Sequence, residues 1–105
     1  MDSSAPETWT LTAHNKRVLK GWEELCQNTR ANSINAYSWL TKNAVARKPG
    51  RCFPLRHAKY AGHWCYEIGA GDRLYYKPDE QTKKAVIWYA GKHPEGRIPD
   101  PPKTI

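Results

Sequence analysis

Residues 64–90, WCYEIGAGDRLYYKPDEQTKKAVIWYA, contain the pattern that decides the fold. Apolar and polar side chains alternate on both sides of the glycine-rich segment 69–72, which is the period of β-strands joined by a hairpin. After a turn at 78–82, the continuous apolar run 85–90 predicts a strand in the centre of a sheet.

Upstream of this sheet pattern the periodicity is helical. Amphipathic helices are predicted at about 14–29 and 32–44, with a short break between them. Short strands are predicted at 8–12 and, as an edge strand that tolerates a proline, at 52–56. The expected class is α+β: a twisted, mainly antiparallel sheet in the order β-α-α-β-β-β, with two helices packed on one face. The second helix is expected to bury an apolar stripe: Ile34, Tyr37, Leu40 and Ala44.

Composition adds an argument from charge. The 105 residues include 17 Lys and Arg against 10 Asp and Glu, which gives a formal charge of +7 and a pI near 9.5. This length fits one domain, 1–105, with flexible tails expected at 1–7 and at the proline-rich 95–105. A positive surplus of this size favours nucleic acid as a partner over a merely soluble basic surface.

The three cysteines, Cys26, Cys52 and Cys65, have no metal-ligand spacing, and their odd number favours reduced thiols. The polar start of the chain precedes no apolar stretch, so neither a signal peptide nor a membrane span is expected. We therefore expect a cytoplasmic protein with no metal, no cofactor and no membrane partner.

Alternation in the strand after the hairpin predicts which side chains meet nucleic acid. Leu74 and Tyr76 suit the face under the helices, so Arg73 and its alternate neighbours turn to the opposite face, an open platform and not a second core. On such a platform rings stack on bases and cations hold phosphates, although a solvated face without function is the alternative. The predicted RNA-binding residues are Arg51, Lys59, Tyr75, Lys77 and Lys92.

The loop after the last predicted strand, GKHPEGR at 91–97, contains a candidate proton-transfer residue. His93 can change protonation near neutral pH, and loops that follow strands often form sites. An exposed histidine without function is the alternative. A second histidine, His57, lies inside the basic run 47–59, which has no acidic residue.

Four ordered stretches of the C-terminal half form a set. They are Pro54-Leu55-Arg56-His57; Gly62-His63-Trp64 with Tyr66-Glu67-Ile68; Asp72-Arg73-Leu74-Tyr75-Tyr76; and Gly91-Lys92-His93. This set resembles the RelE/YoeB/ParE-like toxins of bacterial type II toxin–antitoxin systems, whose pattern is P-L-K-H … L-x-G … W … I … R-L-x-Y, then a strand and a short basic motif. The resemblance spans roughly residues 8–95.

The resemblance implies a RelE-like fold and an endoribonuclease that cleaves messenger RNA, often on the ribosome, and is held in check by a small antitoxin protein. Arg73 matches the arginine that opens R-L-x-Y, and Arg56 matches the lysine of P-L-K-H. Lys92 or His93 matches the basic position after the last strand.

RNA cleavage without a metal uses the 2′-hydroxyl as nucleophile, and it needs a base, an acid and cations near the phosphate. Arg73 and Arg56 are expected to hold phosphate charge, and His93 is expected to be the acid. The base stays open between Glu67 and His57.

One departure keeps other functions open. The YoeB-like subgroup has a glutamate just before P-L-K-H, and Phe53 stands there in this chain. A ParE-like inhibitor of DNA gyrase on the same fold needs no acid or base, and an inert RNA-binding module is the third hypothesis.

Overall fold

The computed structural model describes residues 8–105, so the expectation about residues 1–7 lies outside the described part of the chain. Its helices and strands have the following bounds: β1 Thr10–Ala13, α1 Lys16–Asn28, α2 Arg30–Asn43, β2 Cys52–Pro54, a 3-10 helix Ala58–Tyr60, β3 Trp64–Glu67, β4 Asp72–Asp79 and β5 Lys84–Lys92.

The five strands form one mixed sheet in the order β1-β5-β4-β3-β2. β1 runs parallel to β5, and the other neighbouring pairs are antiparallel. The predicted α+β class and the central position of β5 are confirmed. The edge strand predicted at 52–56 is present as β2, so the observed order is β-α-α-β-β-β-β, and the predicted order β-α-α-β-β-β counted one strand too few.

Local chemistry explains how α1 starts and where it lies. The Asn15 side chain caps the helix by accepting a hydrogen bond from the Val18 N–H at 3.0 Å. Gly21 weakens an isolated helix, but a Cβ at this position would lie 2.3 Å from the Ala90 carbonyl oxygen of β5. The glycine therefore allows α1 to approach the centre of the sheet closely.

The first apolar core lies between the helices and the sheet. Leu74, Tyr76 and Leu40 are buried in it, as the strand and helix periods predicted. The predicted stripe of α2 is partly wrong, because Ile34 and Tyr37 are 52% and 50% exposed. Small residues of α2 face the core instead, and the Tyr37 ring packs on Trp22 of α1 at 6.3 Å. The residues that α2 buries are Ser33, Ala36 and Leu40.

The other face of the sheet is a second core, so the prediction of an open platform is wrong. Tyr75 is only 2% exposed and packs with Cys65 and Trp88. A register shift between Tyr75 and Tyr76 inserts Trp88 as an extra residue, and this β-bulge brings both Trp88 and Tyr89 against the Tyr75 ring, at 5.4 and 5.3 Å. Partly buried apolar residues cover this cluster: Phe53, Leu55, Tyr89, Ile98 and Ile105.

Candidate active site

Residues 94–105, called the tail below, lie over this second core. The tail has no helix or strand. The Tyr60 hydroxyl donates to the Ile98 carbonyl at 2.7 Å, and Lys59 forms an ion pair with Asp100 at 2.7 Å. Further along, the Lys77 ammonium donates to the Ile105 carbonyl at 2.9 Å. These contacts, together with the two tail isoleucines in the apolar cluster, explain why this face of the sheet is not open. The predicted flexibility of residues 95–105 stays a prediction.

A cleft of about 420 Å³ opens between the tail and the 3-10 helix. It brings together three predicted site residues, namely His57, Lys59 and His93. We call it the histidine cleft, and its remaining lining residues are Tyr60, Pro94, Gly96, Arg97 and Ile98. Both predicted imidazoles are exposed in it.

Backbone hydrogen bonds set the tautomer of each histidine in this cleft. The His93 Nδ1 lies 2.8 Å from the Pro94 carbonyl, which only accepts, so Nδ1 donates and Nε2 is left for a substrate. In contrast, the His57 Nδ1 accepts from the Lys59 N–H at 3.4 Å, so a neutral His57 has its proton on Nε2. His93 can keep its bond to Pro94 in both protonation states, whereas His57 keeps its bond to Lys59 only while neutral.

The predicted pair Arg73 and Glu67 lies toward one end of the sheet and does not line this cleft. The two residues are partners across β3 and β4, and the Arg73 Nη2 is 3.8 Å from the Glu67 Oε2. The Arg73 Nη1 also donates to two carbonyls, those of Gly69 at 3.2 Å and Asp72 at 2.9 Å. These contacts hold the guanidinium in one place, with 12% of the side chain exposed.

Strand register relates this ion pair to His93. Arg73 faces Gly91 across the β4–β5 ladder, and the His93 N–H donates to the Gly71 carbonyl at 2.8 Å. Positions 91 and 93 alternate to the same face, so His93 is two residues, about 7 Å, further along the strand direction. The Tyr89 side chain lies between these two positions, because its hydroxyl oxygen is 3.8 Å from where a Cβ would stand on Gly91 and donates to the Lys92 carbonyl.

The remaining predicted residues are not brought into this cleft. Arg56 is exposed and lines a shallow recess with Phe53, and Arg51 lies at a separate cleft against α2. Tyr75 is buried, so its ring is covered rather than free to stack on a base, and the same burial raises the pKa of its hydroxyl to about 12. Lys77 is bonded to the tail. Lys92 is exposed at the end of β5.

Two lining residues, Arg97 and Tyr60, are not among the predicted site residues. Arg97 is the last residue of the loop 91–97 and belongs to no helical or strand periodicity. Only its charge could have indicated that it is a site residue. Tyr60 has no distinguishing feature in the sequence, but its ring lies edge-on to His57, with 6.1 Å between the ring centroids, and its hydroxyl donates a hydrogen bond to the tail. Both residues reach the cleft only because the tail packs against residues that are distant in the sequence, and hydrophobic periodicity does not predict such contacts.

Within residues 8–105, no three His, Cys, Asp or Glu side chains are grouped so that they could share a metal ion. Neither helix in that range has the length and apolar character needed to span a bilayer.

Comparison with known proteins identifies the fold. No protein-family model matches the chain, and no curated protein matches it. Solved structures do match: the YoeB–YefM complex from Staphylococcus aureus has a TM-score of 0.62 at 16% identity, covering 82% of this chain and 98% of that chain. The YoeB/ParE toxin from Agrobacterium tumefaciens has a TM-score of 0.62 at 18% identity, with 81% and 99% covered.

The archaeal RelE–RelB complex from Pyrococcus horikoshii gives a TM-score of 0.62 at 19% identity, with 87% of this chain and 99% of that chain covered. The chain therefore has the RelE/YoeB-like toxin fold, and the predicted fold is confirmed. At these identities the likeness concerns the fold alone.

Proposed function

We propose that this chain is the toxin of a toxin–antitoxin pair, a metal-independent endoribonuclease that cleaves messenger RNA in the cytoplasm in association with the ribosome. The observation that supports it best is the histidine cleft. His57 and His93 come from distant parts of the chain and line one cleft with Lys59 and Arg97, and in the strand register His93 is two positions beyond the partner of Arg73. Two imidazoles that can give up or accept protons, placed among cations that can stabilise phosphate charge, suit phosphodiester cleavage.

The proposed reaction begins when a base removes the proton of a 2′-hydroxyl, whose oxygen attacks the adjacent phosphorus. The bond from phosphorus to the 5′-oxygen breaks, an acid protonates that oxygen, and a 2′,3′-cyclic phosphate is left. His93 is the acid, because its imidazolium keeps the bond to Pro94. Glu67 is the better of the two open candidates for the base, because its carboxylate oxygens can accept a proton, whereas the free Nε2 of neutral His57 already carries one.

The hydrogen bond to Lys59 gives His57 a different role. With Nδ1 accepting from the backbone, the Nε2–H of neutral His57 is a donor to a phosphate oxygen. Arg73 and Arg97 add positive charge where negative charge develops in the transition state. Phe53 is half-buried in the second core, so the position where YoeB-like toxins have a glutamate provides no base here.

Primer extension on messenger RNA after expression of the chain tests the activity. The expected result is growth arrest with discrete cuts for the unchanged chain and no cuts for Arg73→Gln. Lys84→Gln, an exposed lysine at the far end of β5, is the matched control and should cut normally. Absence of cuts from the unchanged chain would reject the nuclease.

A gyrase inhibitor is the second candidate, because one matched structure is a YoeB/ParE toxin. That function predicts supercoiling defects without RNA cuts, and the same expression experiment distinguishes it. If neither effect occurs, the chain is an inert RNA-binding module.

The proposed partner is a small antitoxin protein, since two of the matched structures are toxin–antitoxin complexes. Co-expression with a small gene adjacent to this one should restore growth. Growth that stays arrested would reject that gene product as the antitoxin.

A further inference from the structure

The positive charge of this chain is concentrated away from its ends. Between Glu24 and Glu67 the sequence has no acidic residue and seven Lys and Arg, as many as the whole formal charge of +7. Only part of this segment contributes to the histidine cleft. Three of its seven cations, Lys42, Lys48 and Arg51, line a second cleft between α2 and the β3 residue Tyr66.

This second cleft, called the α2 cleft below, has a volume of about 430 Å³, within the usual range of ligand pockets. Asn32, Asn35 and Trp39 follow one another at helical spacing along α2 and form one wall. Lys48 and Arg51 lie across from them. The other lining residues are Ser38, Lys42, Asn43 and Tyr66, and none of the lining residues is acidic.

Its polar side chains have unused hydrogen-bonding capacity. Within residues 8–105, the exposed Asn32, Asn35 and Lys42 make no side-chain hydrogen bond or ion pair. Arg51 donates one Nη1 bond to the Glu67 carbonyl at 2.8 Å, which orients the guanidinium and leaves its other N–H groups available. The Lys48 ammonium lies 4.8 Å from the Trp39 ring centroid.

These groups match a nucleic-acid strand better than an acidic peptide. Lysine and arginine hold phosphates, whereas carboxamides both donate and accept and therefore pair with base edges. The carboxylates of an acidic peptide would pair with the cations, but they would not explain the row of uncharged asparagine amides.

The α2 cleft also borders the candidate active site. The Asn32 Nδ2 lies 3.2 Å from where a Cβ would stand on Gly69, and the Gly69 carbonyl accepts from Arg73. Arg51 bonds to the backbone of Glu67, the partner of Arg73. A strand held at Arg73 can therefore pass the β3–β4 turn and enter the cleft.

We propose that the α2 cleft is a second binding site for single-stranded RNA, which anchors nucleotides flanking those at the histidine cleft. Its position relative to the scissile bond rests on the proposed function, but the binding itself does not.

The test measures fluorescence anisotropy of a labelled, unstructured 12-nucleotide RNA with 2′-O-methyl groups, which no 2′-hydroxyl mechanism can cleave. The variant Lys42→Glu/Lys48→Glu removes two exposed cations of the cleft, and Lys16→Glu/Lys20→Glu makes the same charge change on exposed positions of α1. We expect the cleft variant to bind about 10- to 100-fold more weakly, with a salt slope lower by about 1.4. The control should change by no more than about threefold, because distant charges are screened.

Equal losses in the two variants would show a general charge effect and overturn the site, as would unchanged binding by the cleft variant. A 12-residue poly-glutamate that binds while the RNA does not would overturn it in favour of a protein partner. Cleavage assays are kept separate: selective loss of binding supports this site even if the unchanged chain cuts no RNA.

Discussion

The two faces of the sheet are both buried, but they are covered by different kinds of structure. The helix face packs Leu74 and Tyr76 under α1 and α2, which repeat their apolar contacts every turn. The tail face packs Tyr75 and Trp88 under a segment without helix or strand, held by a few polar contacts. The first arrangement provides stability, and the second provides a surface whose edge forms the histidine cleft.

Truncating one apolar side chain on each face gives the largest difference expected from this comparison. Leu74→Ala should lower the free energy of unfolding by about 2–5 kcal/mol, since the residue is fully buried. Ile98→Ala should cost only about 1 kcal/mol, because the side chain is half-buried in the tail. Urea unfolding followed by circular dichroism measures both, and equal losses would contradict the distinction.

The tail face should also make stability depend on pH, because His63 packs its ring edge-on to Trp88 at 5.5 Å. Burial, helped by the charge of Lys77, lowers the pKa of His63 from its ordinary value of 6.5. The unfolded chain therefore takes up a proton that the folded chain resists, and stability present above pH 6.5 is lost as the pH falls. One proton gives at most about 1.4 kcal/mol per pH unit.

His63→Gln is the matched variant for that effect. Unfolding curves between pH 7 and 5 should be less steep in pH for this variant than for the unchanged chain. The same slope in both proteins would assign the pH effect to other groups.

Removing the tyrosine that holds the tail should have a smaller effect. Tyr60→Phe deletes the bond to the Ile98 carbonyl and should cost about 1 kcal/mol. Hydrogen exchange should then accelerate in the tail but not in α1 or α2. Faster exchange in the helices as well would mean that the two faces are not independent.

The smallest effect is expected for the exposed ion pair. Asp100→Asn removes the partner of Lys59, which holds the pKa of the Asp100 carboxyl below its usual range. Because both groups are solvated, the melting temperature should stay unchanged. A clear drop would show that the tail depends on this pair more than its exposure suggests.

Periodicity predicted the helix face well and the tail face poorly, for physical reasons. Leu74 and Tyr76 alternate regularly, so the sequence indicated which face the helices cover. It also oriented Arg73 and Tyr75 to the opposite face. The covering of that face depends on single long-range contacts of the tail and on the bulge at Trp88, and neither has a repeating signal.

The candidate site shows the same division. Histidines in loops and charges near strand ends could be selected from residue type and position, which is how His57, His93 and Arg73 were found. That His57 and His93 share a cleft with Arg97 required the path of the tail. The tautomers that give the two histidines different roles could be assigned only from their hydrogen bonds to the backbone of Pro94 and Lys59.

The most direct test of the proposed nuclease is the single-turnover rate of messenger RNA cleavage in a purified translation system. The comparison is between the unchanged chain, His93→Ala and His57→Ala, with folding checked by circular dichroism. Loss of the acid should slow cleavage about 10²–10⁴-fold, and loss of one phosphate donor should slow it about 10- to 100-fold. Cleavage by His93→Ala at the unchanged rate would contradict the account.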